Sequence, residues 1–337
     1  MSVGLYAAAG LTLLVSALLP FAVRPLLYRF ALLDVPSDRS SHVRPTLRGG
    51  GIAPGMGMVL GTLVLAAAVP GVTGRLLVVT AVASAAFAAL GFVDDVRSLS
   101  SLSRAVVQLV IAAAVCAAIV VITSGPWWLL VVGPMAVAGY VNVANFMDGI
   151  NTVSGLHGTV VGASFVAWGL LAEQPWLSGL GACISLAFVA FIPWNVLGKR
   201  MFLGDVGSYL LGGTIAVAAV AAVAVGVPLV AVVAPLVPYL VDTSSTLARR
   251  VARGERWFEA HNTHVYQVLA RRHGHVRASS IVTAATVACA AAGSLAFAGP
   301  VGAVAAVALF AVAAAVYLSL PSWTLRLTHR EARAEHV

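Results

Sequence analysis

The sequence predicts an all-α, polytopic integral membrane fold, and three observations carry that prediction. Sixty per cent of its residues are hydrophobic, with a mean hydropathy of +0.97. Only 9% are charged, about a third of the share in soluble domains, too few to cover the apolar surface of a water-soluble globule. The charges that do occur are gathered between long uncharged runs. A disordered chain, a coiled coil and a disulfide scaffold are excluded by the same composition.

The uncharged runs define the helices in order. Residues 1–23, 49–74, 76–93, 105–147, 149–172, 174–198, 206–241 and 278–325 contain no Asp, Glu, Lys or Arg. A helix crosses a bilayer in about 20 residues, so the longest runs each hold two. The run 105–147 breaks at Ser124-Gly125-Pro126, 206–241 near Gly226-Val227-Pro228, with its second half continuing toward Thr246, and 278–325 at Gly299-Pro300. About eleven spans result. No positive charge precedes the first, while Arg24 and Arg29 follow it, so it reads as a retained anchor with the N-terminus outside and not as a cleaved signal peptide.

On that topology Arg75 is the only one of 20 Lys and Arg in an external loop, a strong positive-inside asymmetry that leaves the C-terminus cytoplasmic. The net charge of +8 then reflects topology and attraction to anionic headgroups. Scattered over several loops, the basic residues do not suit a nucleic acid. The expected organisation is a single transmembrane domain, 1–325, with cytoplasmic loops at about 29–50, 94–104, 142–152, 195–206 and 248–278, and a cytoplasmic tail, 326–337. Cys116, Cys183 and Cys289 lie singly within spans and read as small buried hydrophobes.

Polar chemistry is concentrated in five segments: DVPSDRSSHVRPTLRGGG at 34–51, DDVRS at 94–98, NVANFMDGIN at 142–151, NVLGKRMFLGD at 195–205 and HNTHVYQVLARRHGH at 261–275. Two spans separate each consecutive pair, so parity puts all five on one membrane face, whichever way the bundle is oriented. They read as one composite site.

Each segment has its own chemistry. Asp94 and Asp95 close the third span; a lone acid there is simply solvated, but two adjacent carboxylates repel each other and resist burial, a cost that a divalent cation or a cationic substrate relieves. Asp148 stands among Asn142, Asn145 and Asn151, with 145, 148 and 151 on one face of a continuing helix. Capping or inter-helix hydrogen bonding accounts for one such residue more readily than for four. Asp205 opens the eighth span and reads either as an N-cap acid favoured by the helix dipole or as a ligand. Three membrane-edge segments that each contribute Asp, without Cys or His in those motifs, suit a hard ion such as Mg²⁺ or Mn²⁺. His261 and His264 have no H-E-x-x-H pattern or Cys partner and suit phosphate oxygens better than zinc. Arg271, Arg272, His273, His275 and Arg277 read as a headgroup-facing surface, and His157 as a hydrogen-bonded helix residue. The Gly49-Gly50-Gly51 run suits close helix packing or a loop approaching phosphate, without the pattern of a P-loop.

With these residues in place, the chain resembles the polyprenyl-phosphate N-acetylhexosamine-1-phosphate transferases (glycosyltransferase family 4), whose superfamily includes the phospho-N-acetylmuramoyl-pentapeptide transferase. The resemblance runs from about Asp34 to His275. It rests on RGGGIA at 48–53, the Asp pair at 94–95, NVANFMDGIN, FLGDVGS at 202–208 and HNTHVYQ at 261–267. It implies transfer of a sugar-1-phosphate from a UDP-activated amino sugar to polyprenyl phosphate, with release of UMP, at the cytoplasmic face of a bacterial plasma membrane. It implies Asp94, Asp95, Asp148 and Asp205 as catalytic residues, with Asp205, Asp148 and Asp94 holding Mg²⁺ or Mn²⁺. The acceptor phosphate is already largely ionised, so Asp94 or Asp95 takes the residual proton or positions the acceptor. Phe202 is placed to stack on uracil, with Asn195 and Lys199 near the nucleotide and His261 and His264 on the diphosphate or sugar. Asn142, Asn145, Asn151, His42 and Arg44 complete the expected substrate contacts. The partners are a UDP-N-acetylhexosamine, polyprenyl phosphate and the lipid bilayer, with a homodimer left open.

The sequence departs from the family pattern at Ser98, where Asp or Asn is frequent, and at Asn151-Thr152, where an acid and Gly are frequent. Its histidine loop lacks the three adjacent histidines of the pentapeptide branch, which turns the expectation toward an N-acetylglucosamine-type substrate, with the pentapeptide transferase as the alternative. A secondary transporter or lipid flippase is the rival of another class. It should carry polar residues near mid-span, and spans such as Ala105 to Ile122 offer almost none.

Overall fold

A computed structural model describes residues 2–30, 32–34, 45–197, 201–255 and 262–334. The fold is all-α. α1 (Ser2–Arg29) leads into a two-residue antiparallel pair, β1 (Leu33–Asp34) with β2 (Thr46–Leu47), and then α2 (Ile52–Ala68), α3 (Gly71–Arg97), α4 (Ser101–Thr123) and α5 (Leu129–Met147). α6 (Val153–Leu171), α7 (Pro175–Val196) and α8 (Gly204–Ala224) follow. α9 (Leu229–Val233) and α10 (Val237–Ala252) join through one 3-10 turn into a single span, Leu229–Ala252. The short α11 (Val265–His273), α12 (His275–Gly293) and α13 (Pro300–Ala334) complete the chain.

Among the described residues, ten helical segments are long and apolar enough to cross a membrane, and α2 is a shorter apolar helix of 17 residues. Together these are the eleven helices expected. All three expected breaks occur: α4 stops at Thr123, α8 at Ala224, and α12 with its 3-10 extension at Ala298. α2 spans only about 25 Å at 1.5 Å per residue, less than the hydrocarbon core of about 30 Å. It packs tightly on α1, where Gly57 and Gly61 lie directly against the Ser16 and Thr12 side chains, the small-residue contact that lets membrane helices approach. α13 continues through the segment read as a tail, as far as Ala334.

α8 sits at the centre. Its sequence is apolar or small on every side, so no face is marked for solvent or lipid, and 89% of its span is buried. α2, α3, α4 and α5 pack around it, Gly213 meeting Phe87 of α3 and Gly212 meeting Val141 of α5. The outer helices α1, α4 and α13 are only 22%, 22% and 17% buried, which leaves their apolar faces toward lipid. The N-terminus of α8 and the C-termini of α3, α5 and α7 lie at one end of this bundle, where the polar segments meet.

Candidate active site

The site is built around the first turn of α8. Asp95, at the end of α3, accepts hydrogen bonds from the Asp205 N–H at 3.0 Å and the Val206 N–H at 2.9 Å. It thus caps a helix 110 residues away in sequence, satisfying amide donors that a helix start leaves open. Gly204 makes this approach possible: its φ is +75°, and a Cβ there would meet Asp95 Oδ2. The Gly49–Gly51 run comes alongside. The Gly50 and Gly51 amides donate to the Phe202 and Leu203 carbonyls, and Gly51 lies so close to Gly207 that a side chain on it would strike the α8 backbone. Of the two expectations for this run, the observed one is close helix packing.

Because Asp95 caps α8, Asp205 is free for other work. Its Oδ1 accepts from Asn145 Nδ2 at 2.7 Å and its Oδ2 from Arg48 Nη2 at 2.6 Å. Arg48 also pairs with Asp95 through Nε at 2.5 Å. The N-cap alternative for Asp205 is therefore overturned, since its own amide is the one being capped. Asp148 ends α5 and accepts from Ser154 Oγ at 2.6 Å. Burial pushes its carboxyl up to about 8; the Ser154 hydroxyl draws it down and the Asp205 charge raises it again.

These groups open onto a cavity of about 440 Å³, within the range of ligand sites. Of the expected residues, Asn145, Asp148, Asn151, Asn195, Phe202 and Asp205 line it. Asn195 also orders the wall, accepting from the Thr152 N–H at 2.6 Å and donating to the Met201 carbonyl at 2.9 Å. The remaining expected residues are placed differently. Asp94 turns away from the cavity: Tyr209, Arg104 and the Leu99 amide donate to it. Asn142 reaches sideways to Gln108 of α4 at 2.6 Å. His264 is buried against Asp242, with Nδ1 at 3.1 Å from Oδ1, and caps α11 together with Gln267. His42, Arg44, Lys199 and His261 lie outside the described residues.

Three lining residues with ionisable side chains, Arg48, Arg271 and His275, are not among the expected site residues. Arg48 stood inside the RGGG motif and was passed over for its glycines. Arg271 and His275 read from the sequence as part of a headgroup-facing surface, yet both line the cavity; α11 is a cavity wall. The signal available for these two was the run of basic residues at the C-terminal end of a short amphipathic segment that follows the histidine loop. Asp242 was also missed. Fully buried, it accepts from the Val265 and Tyr266 amides at 3.0 Å each and from the Tyr317 hydroxyl at 2.7 Å, so it pins α11 to α10 and α13.

Among the described residues, no three His, Cys, Asp or Glu side chains form a ready-made metal cage. The donor set nonetheless fits a hard cation. Asp148 and Asp205 present carboxylate oxygens to one cavity, and Mg²⁺ is commonly held by one or two carboxylates together with substrate phosphates.

Residues 77–223 match the family model for glycosyl transferase family 4. The chain is 27% identical over 307 residues to the decaprenyl-phosphate N-acetylglucosaminephosphotransferase of Mycobacterium tuberculosis, covering 77% of this chain and 74% of that one. It is 26% identical over 281 residues to a probable undecaprenyl-phosphate N-acetylglucosaminyl 1-phosphate transferase of Bacillus subtilis, covering 76% and 75%. It is also 30% identical over 253 residues to the phospho-N-acetylmuramoyl-pentapeptide-transferase of Desulforudis audaxviator, covering 63% and 75%.

Proposed function

The chain belongs to glycosyl transferase family 4, and we propose that it transfers N-acetylhexosamine-1-phosphate from a UDP-sugar to polyprenyl phosphate. An oxygen of the lipid phosphate bonds to the sugar-bearing phosphorus, the bond from that phosphorus to the bridging oxygen breaks, and UMP leaves with the electron pair. The product is a polyprenyl-diphosphate-HexNAc. N-Acetylglucosamine is the sugar we favour, because the relatives matched over three-quarters of this chain carry that name.

One observation carries the reading: two carboxylates, Asp148 and Asp205, and the cation Arg48 converge on one cavity at the end of a membrane bundle. Two phosphates must meet there, and their repulsion has to be offset by positive charge placed in advance. Asp205 and Asp148 are the residues that would hold Mg²⁺ or Mn²⁺. The ion would supply charge neutralisation and Lewis acidity at the transferred phosphoryl group. Asp94 is left out of this ligand set because both of its oxygens serve Arg104, Tyr209 and Leu99. Asp95 acts from behind, holding the α8 amides and Arg48. Phe202 offers a ring for the uracil, and Asn145, Asn151 and Asn195 offer amides for the nucleotide and sugar. Arg271 gives the far wall positive character, and His275 stands beside it with Nδ1 accepting from the Asn151 N–H. Lys199, His261, His42 and Arg44 remain proposed contacts for substrate.

The positive-inside asymmetry supports a cytoplasmic orientation for this end of the bundle, on the side where UDP-sugars are found. Incubating the purified protein with polyprenyl phosphate and a panel of UDP-sugars, then identifying the lipid by mass spectrometry, tests both reaction and sugar. Undiminished turnover in excess EDTA would refute the cation.

A further inference from the structure

The carboxylate most needed for this chemistry is engaged by the protein's own cation. Arg48 spans two acids, with Nε on Asp95 and Nη2 on Asp205, and the two arms of that fork differ. Asp95 has a side chain only 1% exposed, and its oxygens also hold the Asp205 and Val206 amides, so this arm is an anchor. Asp205 lines the cavity and can exchange partners. The Arg48 backbone is fixed: its N–H donates to the Leu32 carbonyl, and the following Gly50 and Gly51 amides bind Phe202 and Leu203. Its side chain is 37% exposed and lines the same cavity. The guanidinium therefore has freedom that the peptide lacks.

Resting on the cation site proposed above, we propose that Arg48 is a displaceable counter-cation. In the ligand-free protein it neutralises Asp205. When a divalent cation and a nucleotide diphosphate enter, it yields that oxygen to the metal and carries its charge to the diphosphate. Charge stays near balance throughout: a guanidinium sits between two carboxylates before loading, and a dication and a diphosphate join them after. A planar fork suits both states, since guanidinium pairs bidentately with carboxylate and with phosphate alike, and a lysine ammonium cannot reproduce that geometry. Metal and nucleotide then bind with positive coupling, because each pays part of the cost of moving Arg48.

The role has a signature that a structural cross-link lacks. Without Arg48, a cation meets no competitor at Asp205, while the diphosphate loses a donor. In the full-length protein in detergent, Mn²⁺ binding is measured by electron paramagnetic resonance, and UDP binding by calorimetry at saturating Mn²⁺. Arg48→Gln should bind Mn²⁺ alone about tenfold more tightly than wild type, the scale on which neighbours of a ligating group tune metal affinity. The same variant should bind UDP about tenfold more weakly, as expected for loss of one charge-assisted contact. Arg48→Lys keeps the charge and should also lose UDP affinity; it serves as the measured variant if Gln prevents folding. A fall in both affinities together marks a mere cross-link and overturns the proposal, as does unchanged binding of either ligand in the Gln variant or unchanged UDP binding in the Lys variant. Wild-type Mn²⁺ binding that Asp205→Asn leaves intact would instead remove the cation site itself, and this inference with it.

Discussion

The pair Asp95 and Asp205 illustrates how two carboxylates in one cluster acquire different work. Asp95 spends its oxygens on the first amides of α8 and on Arg48, and Asp205 faces the cavity with Asn145 and Arg48 as donors. Their variants should separate accordingly. Asp205→Asn keeps shape and one of the two acceptor oxygens but removes the charge. It should cut turnover by about 10²-fold or more, the scale of losing one strong electrostatic contact in a preorganised site, with a higher Mg²⁺ requirement and a melting temperature near wild type. Asp95→Ala uncaps α8 and leaves Arg48 with Asp205 alone, and should cost about 1–3 kcal/mol of stability, the scale of buried amides losing their acceptor. Kinetics against metal concentration and melting in detergent check both, and the reverse pattern would exchange the two roles. Which Asp does which was not legible in the sequence: adjacent positions 94 and 95 carry identical side chains, and only the α3–α8 packing sends one to Arg104 and the other to α8.

At the scale of elements, α11 depends on a single buried carboxylate. Asp242 gathers the amides of its first turn, His264 and the Tyr317 hydroxyl of α13. A nine-residue helix is marginal by itself, so this anchor keeps Gln267, Arg271 and, just beyond the helix, His275 at the cavity. Asp242→Ala should raise hydrogen-exchange rates at Val265 and Tyr266 by tenfold or more, consistent with about 1–3 kcal/mol lost when buried donors lose their acceptor. It should also weaken nucleotide binding, whereas Tyr317→Phe should change the α11 amides far less. Equal effects would show that α13 carries the helix. Gly51→Ala should be more damaging than its size suggests, because the new methyl meets the α8 backbone at Gly207; activity and melting of that variant against Gly10→Ala, where a Cβ meets nothing, measure the difference. The helix breaks were legible from Ser124-Gly125-Pro126, Gly226-Val227-Pro228 and Gly299-Pro300. The capping of α11 was not, because Asp242 lies inside an apolar span and its partners lie more than twenty residues on.

Over the whole molecule, alternation of spans placed five polar segments on one face, and the structure joins Arg48, Asp95, Asp148, Asp205 and Arg271 at one end of the bundle. Parity made that legible without any knowledge of packing. The partition of side chains between cavity and scaffold was not, since Asn142 and Asn145 look alike in sequence and differ only in which neighbouring helix each meets. Sidedness has its own test: cysteines replacing the exposed Ser98 and Thr263 should both label from the cytoplasm, and one replacing the exposed Glu173 from outside. Opposite labelling of the first two would break the parity argument.

The most direct test of the central claim is the identity of the leaving nucleotide. With a UDP-N-acetylhexosamine labelled at the sugar-bearing phosphorus, the label is expected in a polyprenyl-diphosphate lipid with one equivalent of UMP released, and both products should form about 10²-fold more slowly with Asp205→Asn. Release of UDP, with the label still on the nucleotide, would mean that the sugar alone is transferred, and would contradict a site built from Asp148, Asp205 and Arg48 to move a phosphoryl group.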